Sequence, residues 1–325
     1  KREILTTALA HRGLDVPVAP LRTVTIASRR RAQLGVRHQN GRGEIGFREE
    51  GQHALVDLAE CPVLMPRLVA LIPHLREIAR RAVPDGVGGR LVVTLTDAGP
   101  DVAFGTGKAR LTAGARAEIA RLAAAAGIAR LMVDSEPVAM LARPTLTFGG
   151  VAVEPPANSF LQASAEAEAI LTELVLAGVG RAKRIADLFS GVGTFTFPLA
   201  QNAQVLAIDG DKPAIEALEL AARHAQGVRK VATKVRDLFR EPLSPLELKD
   251  FSAVVVDPPR AGAKAQVEAL ARSKVPVVVM VSCSPATLAR DLRLLSDGGF
   301  AVDAVTPVDQ FVFTPHLEAV AVLSR

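Results

Sequence analysis

The strongest constraint on this chain is a rhythm. After Pro155-Pro156, apolar runs of strand length (IADL, VLAID, AVVVD and VVVMVS) alternate with amphipathic stretches of helix length. Such alternation requires crossover connections, and so a mostly parallel, doubly wound sheet with helices on its faces. The spacing predicts helices over 163–176, 194–201, 213–224, 264–272 and 285–295. Between them it predicts strands over 184–188, 205–209, 230–235, 253–257 and 276–282. Two closing strands, near 301–308 and 316–323, have no helix between them, which predicts an antiparallel hairpin at one sheet edge.

The first half reads differently. Lys1 to Leu9 has the spacing of a short amphipathic helix, which Gly13 can end. From Thr23 to Asp57 the pattern alternates around Asn40-Gly41, a strong hairpin signal, and predicts a small antiparallel sheet presenting Arg29, Arg30 and Arg31. Pro62 and Pro66 introduce a helix over 67–81. LVVTLTD, a helix around 113–126, ARLMVDS, VAMLARP and TLTFGG then continue as mixed strands and helix. A length of 325 residues suits two domains. The division expected is a smaller mixed α/β domain over 1–155 and a Rossmann-like domain over 156–325.

Hydrophobic residues make up 49% and charged residues 22%, which excludes disordered, collagen-like and disulfide-scaffold chains. Two cysteines make the reducing cytoplasm the default compartment. The longest apolar runs, such as Val275 to Val281, are strand-sized, and nothing at the start marks secretion, so neither a membrane span nor export is expected. A start at Lys1 in place of Met leads us to expect trimmed residues upstream. Residues 1–50 carry ten Lys/Arg against five acids, while the remainder balances. That asymmetry fits a segment that grips a polyanion, and on charge alone it fits a solvated basic surface equally well.

Four segments can carry chemistry. DLFSGVGTFTF follows a strand and opens a helix; Gly191 and Gly193 allow close backbone approach to a ligand, and the helix start offers N–H groups to an anion. A dinucleotide fingerprint needs a third glycine where Thr196 stands, which disfavours a nicotinamide enzyme. Asp209 ends the next strand, where a carboxylate can accept the hydroxyls of a ribose in any adenosine-containing cofactor. In VVVDPPRAGA, Asp257 ends a strand at the ligand-binding edge, or alternatively caps a turn. An aromatic residue after DPP would mark amino-group methylation, and Arg260 stands there instead. Cys283 lies just past a strand and before a helix, where a thiolate is favoured as a nucleophile. Lone cysteines more often pack in cores, but the position after this strand favours chemistry. His316 and Glu318 begin the last strand two apart, so on one face, with Glu318 either a solvated edge residue or a general base. Scattered histidines without ligand-spaced cysteines disfavour a metal.

In this order the segments SRRRAQLGV, EIGFREEG, ECPVLMP, NSFLQAS, DLFSGVGTFTFPLA, DPPRAGA, VSCSPATLARD and TPHLE resemble the RNA uridine-C5 methyltransferase family across nearly the whole chain. The resemblance implies a class I methyltransferase sheet preceded by an RNA-binding domain, with S-adenosylmethionine as cofactor and ribosomal RNA, ahead of transfer RNA, as substrate. It makes Cys283 the nucleophile that adds to uracil C6, and Glu318 the base that removes the C5 proton. Gln162, Phe189, Thr194, Asp209, Asp237 and Asp257 fall where the family contacts cofactor or target base. Departures are Thr194 and Ser284 where asparagine is usual, Ser190 where cysteine is common, and Ser164 where asparagine is usual. Cys61 matches the fourth cysteine of an iron–sulfur cluster in many relatives. Its three partners, and a small RNA-binding barrel, would precede Lys1, so within these residues Cys61 is an orphan ligand or a buried thiol. A monomer is expected. The rival from another class is a non-catalytic RNA-binding assembly factor on a decayed methyltransferase fold, against which intact Cys283, Glu318, Asp257 and Asp209 argue.

Overall fold

The computed structural model describes residues 1–48, 55–107 and 110–325, and the chain forms two compact units. The ends of EIGFREEG (from Glu49) and the start of HALVDL (His53 and Ala54) lie outside the described residues. One unit comprises Lys1–Val24, Thr147–Val153 and Glu166–Arg325; the other comprises Thr25–Leu146 and Glu154–Ala165.

The larger unit is built on an eight-stranded sheet. Its strands run, from one edge to the other, Arg22–Thr23, Ala301–Asp309, Glu318–Ser324, Val277–Ser282, Ala253–Val256, Arg184–Leu188, Gln204–Asp209 and Val231–Val235. All neighbours pair in parallel except Glu318–Ser324, which is antiparallel to both strands beside it. The expected closing hairpin therefore forms, but it is not the edge. Two residues from the N-terminal stretch, Arg22 and Thr23, pair with Val308 and Asp309 outside it. A two-residue strand carries no periodicity, so the sequence pattern could not announce it.

Side chains alternate across this sheet, and both faces are dry, which explains why its strands read as unbroken apolar runs. Leu188, Val254, Val256, Val278 and Met280 pack on one face with Leu288, Leu292 and Leu295 of the helix Pro285–Asp297. Ile185, Val255, Val279 and Val281 pack on the other with Ile170, Leu171 and Val175 of the helix Ala165–Val179. Leu5 and Leu9 of the helix Arg2–Ala10 are also buried in the first of these cores, each a contribution of about 1.5–3 kcal/mol. That burial, the Arg22–Thr23 pairing and the contact of Lys1 Nζ with Asp309 attach the first 24 residues to the C-terminal sheet. By contact, then, the chain does not divide at residue 155, and the basic first fifty residues are shared between two units.

The smaller unit holds a seven-stranded sheet. Its order is Leu55–Asp57, Arg42–Arg48, Arg31–Gln39, Gly88–Thr96, Gly99–Gly105, Arg130–Val133 and Glu136–Met140. The Asn40-Gly41 turn joins the second and third with φ of 51° and 70°, the left-handed pair that a tight hairpin demands. Leu68, Leu71, Leu75 and Ile78 of the helix Pro66–Ala82 cover one face. Buried Arg130 makes a two-pronged ion pair with Asp101 at 2.8 and 2.7 Å and donates to the Pro155 carbonyl at 2.9 Å. The strand Gly99–Gly105 escapes the sequence reading because Gly99-Pro100 at its start looks like a turn.

Arg29, Arg30 and Arg31 are not displayed on the surface of this sheet. Arg30 is buried, while Arg29 and Arg31 are partly buried. The Arg30 N–H donates to the Ala163 carbonyl and the Arg29 N–H to the Val63 carbonyl, which draws the segment inward. Burial lowers the pKa of both Arg29 and Arg31, and for Arg31 the neighbouring Arg29 and Arg90 add to the effect. Cys61 is a partly buried free thiol packed against the core of this unit.

Candidate active site

The ends of four parallel strands and the start of the antiparallel one meet along one edge of the larger sheet. Register places them. Leu188 pairs with Ile208 and with Val256, Val256 pairs with Met280, and Ser282 pairs with Ala319. Phe189, Asp209, Asp257, Cys283 and Glu318 each end, follow or begin these strands, so they gather at the carboxyl edge, where open α/β sheets bind ligands.

The loop after Leu188 is tightly wound. Phe189 has φ of 61°, a left-handed conformation costly for a bulky side chain, and Gly191 and Gly193 have φ of 52° and 99°. A Cβ on Gly193 would lie 2.7 Å from the Phe197 ring. The Gly191 N–H donates to Asp209 Oδ2 at 2.8 Å, and the Asp211 N–H donates to Oδ1 at 2.8 Å. Asp209 is thus fixed by backbone, with lone pairs remaining on both oxygens. The expected helix over 194–201 is a single turn, Thr196–Ala200, preceded by turn residues 191–195. It is too short for the helix-terminus anion site the sequence suggested, and its residues are all buried. Thr194, in the turn, is partly buried. The Phe189 ring meets the Phe239 ring at 5.3 Å, and Asp237 accepts the Phe239 N–H at 3.0 Å.

Beneath the loop lies a residue the sequence reading passed over. Asp187 is completely buried and accepts the Thr196 hydroxyl at 2.5 Å. Its other oxygen, Oδ1, and the Ser190 hydroxyl are buried without a hydrogen-bond partner. Burial, partly offset by the Thr196 hydrogen bond and reinforced by Asp209, pushes the Asp187 carboxyl up to about 7. Thr196 stands where a third glycine was sought. The signal was present as a hydroxyl nine residues after an acid, but it served only to exclude a dinucleotide.

Orphaned polar atoms under a glycine loop, next to a strand-end carboxylate, fit a polar adenosyl amino acid better than packing alone. Asp209 offers acceptors for ribose hydroxyls, and the loop leaves room for close backbone approach.

The reactive end of the edge is acidic. Asp257 is partly exposed, and burial followed by the charges of Asp187 and Asp209 pushes it to about 7. Glu318 is 4% exposed; burial, then Asp257, raise it to about 8, and the hydrogen bond from Gln310 Nε2 at 3.1 Å opposes that rise. Cys283 is partly exposed and lies just before the N-cap Ser284. Its thiol is pushed up by burial, then by Glu318 and Asp257, with Arg260 opposing. The sequence expectation of a favoured thiolate is therefore corrected: burial first, and then the nearby carboxylates, favour the protonated thiol. His316 departs from expectation too. The strand begins at Glu318, and His316 lies before it, exposed, with its ring edge-on to Phe311 at 6.2 Å. Gln310 was not singled out in the sequence; its burial beside Glu318 is a product of the fold.

Gln162 belongs to the other compact unit and is buried there. Among the described residues no three His, Cys, Asp or Glu side chains gather as metal ligands, and the two cysteines lie in different units. These residues do not make the donor set of an iron–sulfur cluster. No helix among the described residues is long and apolar enough to cross a membrane.

Comparison with known proteins agrees with this edge. Residues 150–325 match the tRNA (uracil-5-)-methyltransferase family. An uncharacterized RNA methyltransferase of Brucella suis biovar 1 (strain 1330) is 44% identical over the whole chain and 78% of its own length. The 23S rRNA (uracil(1939)-C(5))-methyltransferase RlmD of Halomonas elongata is 34% identical over the whole chain and 71% of its length. The crystal structure of Pyrococcus abyssi tRNA (uracil-54, C5)-methyltransferase with S-adenosyl-L-homocysteine superposes with a TM-score of 0.76 at 28% identity, covering 99% of this chain and 81% of that one. With a glycine loop, strand-end acids, and a cysteine and a glutamate at the ends of paired strands along one sheet edge, the chain belongs to the tRNA (uracil-5-)-methyltransferase family, S-adenosylmethionine-dependent enzymes that methylate C5 of uracil in RNA.

Proposed function

We propose that this chain methylates C5 of a uridine in ribosomal RNA, with Cys283 as nucleophile and Glu318 as base. The observation that supports the reading is the ladder pairing of Ser282 with Ala319, the neighbours in sequence of Cys283 and Glu318, together with the charge of Glu318 acting on the Cys283 thiol. Ribosomal RNA is favoured by the 34% identity to a 23S rRNA enzyme over the whole chain.

Uracil C5 is a weak nucleophile. Addition of Cys283 Sγ to C6, with loss of the thiol proton, would give C5 enolate character. S-adenosylmethionine, when bound, supplies an electrophilic methyl group on its sulfonium. Asp209 would hold the ribose hydroxyls, and the Ser190–Thr194 loop with Asp187 would hold the amino-acid end. Once C5 carries the methyl, Glu318 would accept the C5 proton, the electron pair would re-form the C5–C6 double bond, and the Cys283–C6 bond would break. A thiol held protonated in the free enzyme would react only when a base is seated and its proton can leave, which limits damage by stray electrophiles. The target base would have to be turned out of any stack to reach this edge.

The residues 25–146 unit would hold the RNA, with partly buried Arg29 and Arg31 as cations that gain from an anionic phosphate because they have given up water.

The test is to incubate the protein with S-adenosylmethionine and 5-fluorouridine-substituted fragments of ribosomal or transfer RNA. Fluorine cannot leave C5 as a proton does, so a methylated adduct at Cys283 should persist on a denaturing gel and in mass spectra. An adduct with transfer RNA alone would replace the ribosomal substrate. No adduct with either, from protein that binds both S-adenosylmethionine and RNA, would remove Cys283 from the role and favour an RNA-binding factor.

A further inference from the structure

The loop between Ala301–Asp309 and Glu318–Ser324 holds Gln310 and ends at Glu318, so it belongs to the reactive edge. At its tip Phe313 is 74% exposed, the most exposed large hydrophobic side chain among the described residues. Its backbone has φ of 70°, a left-handed conformation that a bulky residue adopts at a cost. Either feature alone would be unremarkable. Together they describe a phenyl ring held into solvent by a backbone that glycine or asparagine would occupy with less strain.

The surrounding loop is braced. The Thr314 N–H and hydroxyl both donate to the Phe311 carbonyl, at 3.1 and 2.9 Å, and the His316 N–H donates to the Thr314 hydroxyl at 3.3 Å. Asp309 accepts the Phe311 N–H at 3.0 Å, and Lys1 Nζ donates to the Phe311 carbonyl at 2.7 Å. The edge-on contact of Phe311 with His316 closes the base of the turn. An exposed ring on a braced loop loses little freedom when something covers it. Glu318 is five residue steps along the chain from Phe313, so their Cα atoms are at most about 18 Å apart. What must come to that edge is RNA, and a flat apolar ring beside it matches the face of an unpaired base.

We propose that Phe313 is a stacking platform for an unpaired base of the RNA substrate, flanking the uridine presented to the Cys283–Glu318 edge. The chain contains no Trp and no Tyr, so stacking that other RNA-binding proteins spread over three residue types falls here to phenylalanine. The inference rests on RNA as the substrate and not on Cys283 as nucleophile.

The same composition supplies the test. F313W is a single-tryptophan protein whose emission reports this position alone. Titration with a single-stranded uridine-containing RNA, its binding followed independently by anisotropy of a labelled strand, should quench that emission, and abasic nucleotides flanking the uridine should abolish the quenching. F313G relieves the left-handed strain and should keep or raise thermal stability, while RNA binding weakens about 5- to 150-fold and S-adenosylmethionine affinity stays unchanged. F313W should retain the affinity that F313G loses. Unquenched emission at saturating RNA, or wild-type RNA affinity in F313G, would overturn the proposal. Quenching without a 5-fluorouridine adduct would leave the platform standing and remove only the nucleophile.

Discussion

Gln310 donates its side-chain amide to Glu318 at 3.1 Å, both side chains buried, and this bond opposes the burial that raises the glutamate to about 8. A base that must accept the C5 proton works only when ionised, so the Gln310 bond keeps Glu318 closer to use at neutral pH. In Q310L the pKa should climb further, moving the half-point of adduct release up by about one unit. Release rates from a preformed Cys283–RNA adduct, measured across pH, check this. E318Q should form the adduct and hold it at every pH; normal release in E318Q would assign the base elsewhere.

Glu318, Asp187 and Asp257 all have folded pKa values raised above their unfolded ones. Between the unfolded values near 4 and the folded values near 7 to 8, the native state binds more protons. Stability should therefore be fully present at about pH 4, apart from other acid effects, and decline as pH rises to about 8. E318Q removes one of the three titrations and should lessen the decline by roughly 1 to 4 kcal/mol. Denaturant melts of wild type and E318Q at pH 5 and 8.5 make the comparison, and parallel declines would contradict it.

How much of this was legible beforehand depends on the distance over which each contact acts. The parallel sheet was readable because two buried faces impose unbroken runs such as VVVMVS on the strands themselves. Asp209 and Asp257 were readable because strand ends announce themselves by Gly210 and Pro258. Asp187 with Thr196, and Gln310 with Glu318, are side-chain pairings across a turn or a loop, and a periodic pattern carries no trace of them. The attachment of Lys1–Val24 to the C-terminal sheet was hidden for a related reason: Leu5 and Leu9 declare a buried helix face but not the core that buries it. The sign of the Cys283 shift was missed because a helix start is visible in sequence, whereas the burial of the thiol, and after it the neighbours Glu318 and Asp257 from other strands, are products of the fold.

Thr196 is the sole hydrogen-bond donor to Asp187 among the described contacts, and both are fully buried. T196V keeps the shape and removes the hydroxyl, leaving both Asp187 oxygens without a partner. We expect a loss of about 1–3 kcal/mol and a further rise of the Asp187 pKa above its value of about 7. T196S should restore most of the stability. Thermal melts of the two variants decide the matter, and a loss in T196S as large as that in T196V would mean that packing of the methyl group matters as much as the hydroxyl.

Gly193 separates the two demands made on the loop. Its φ of 99° lies where side chains rarely sit, and a Cβ there would be 2.7 Å from the Phe197 ring, which is fully buried and cannot swing away. G193A should therefore cost about 1–3 kcal/mol through strain and overpacking. Displacement of the Gly191–Asp209 hydrogen bond should also weaken S-adenosylmethionine binding, measured by calorimetry at a temperature where the variant is folded. Gly191 has no neighbour within 4 Å of a built Cβ, and its φ is 52°. G191A should consequently lose less stability than G193A. Its cofactor loss should then come from whatever the new methyl excludes at the open face of the loop. If G191A binds S-adenosylmethionine as wild type does, that face of the loop is not where the cofactor lies.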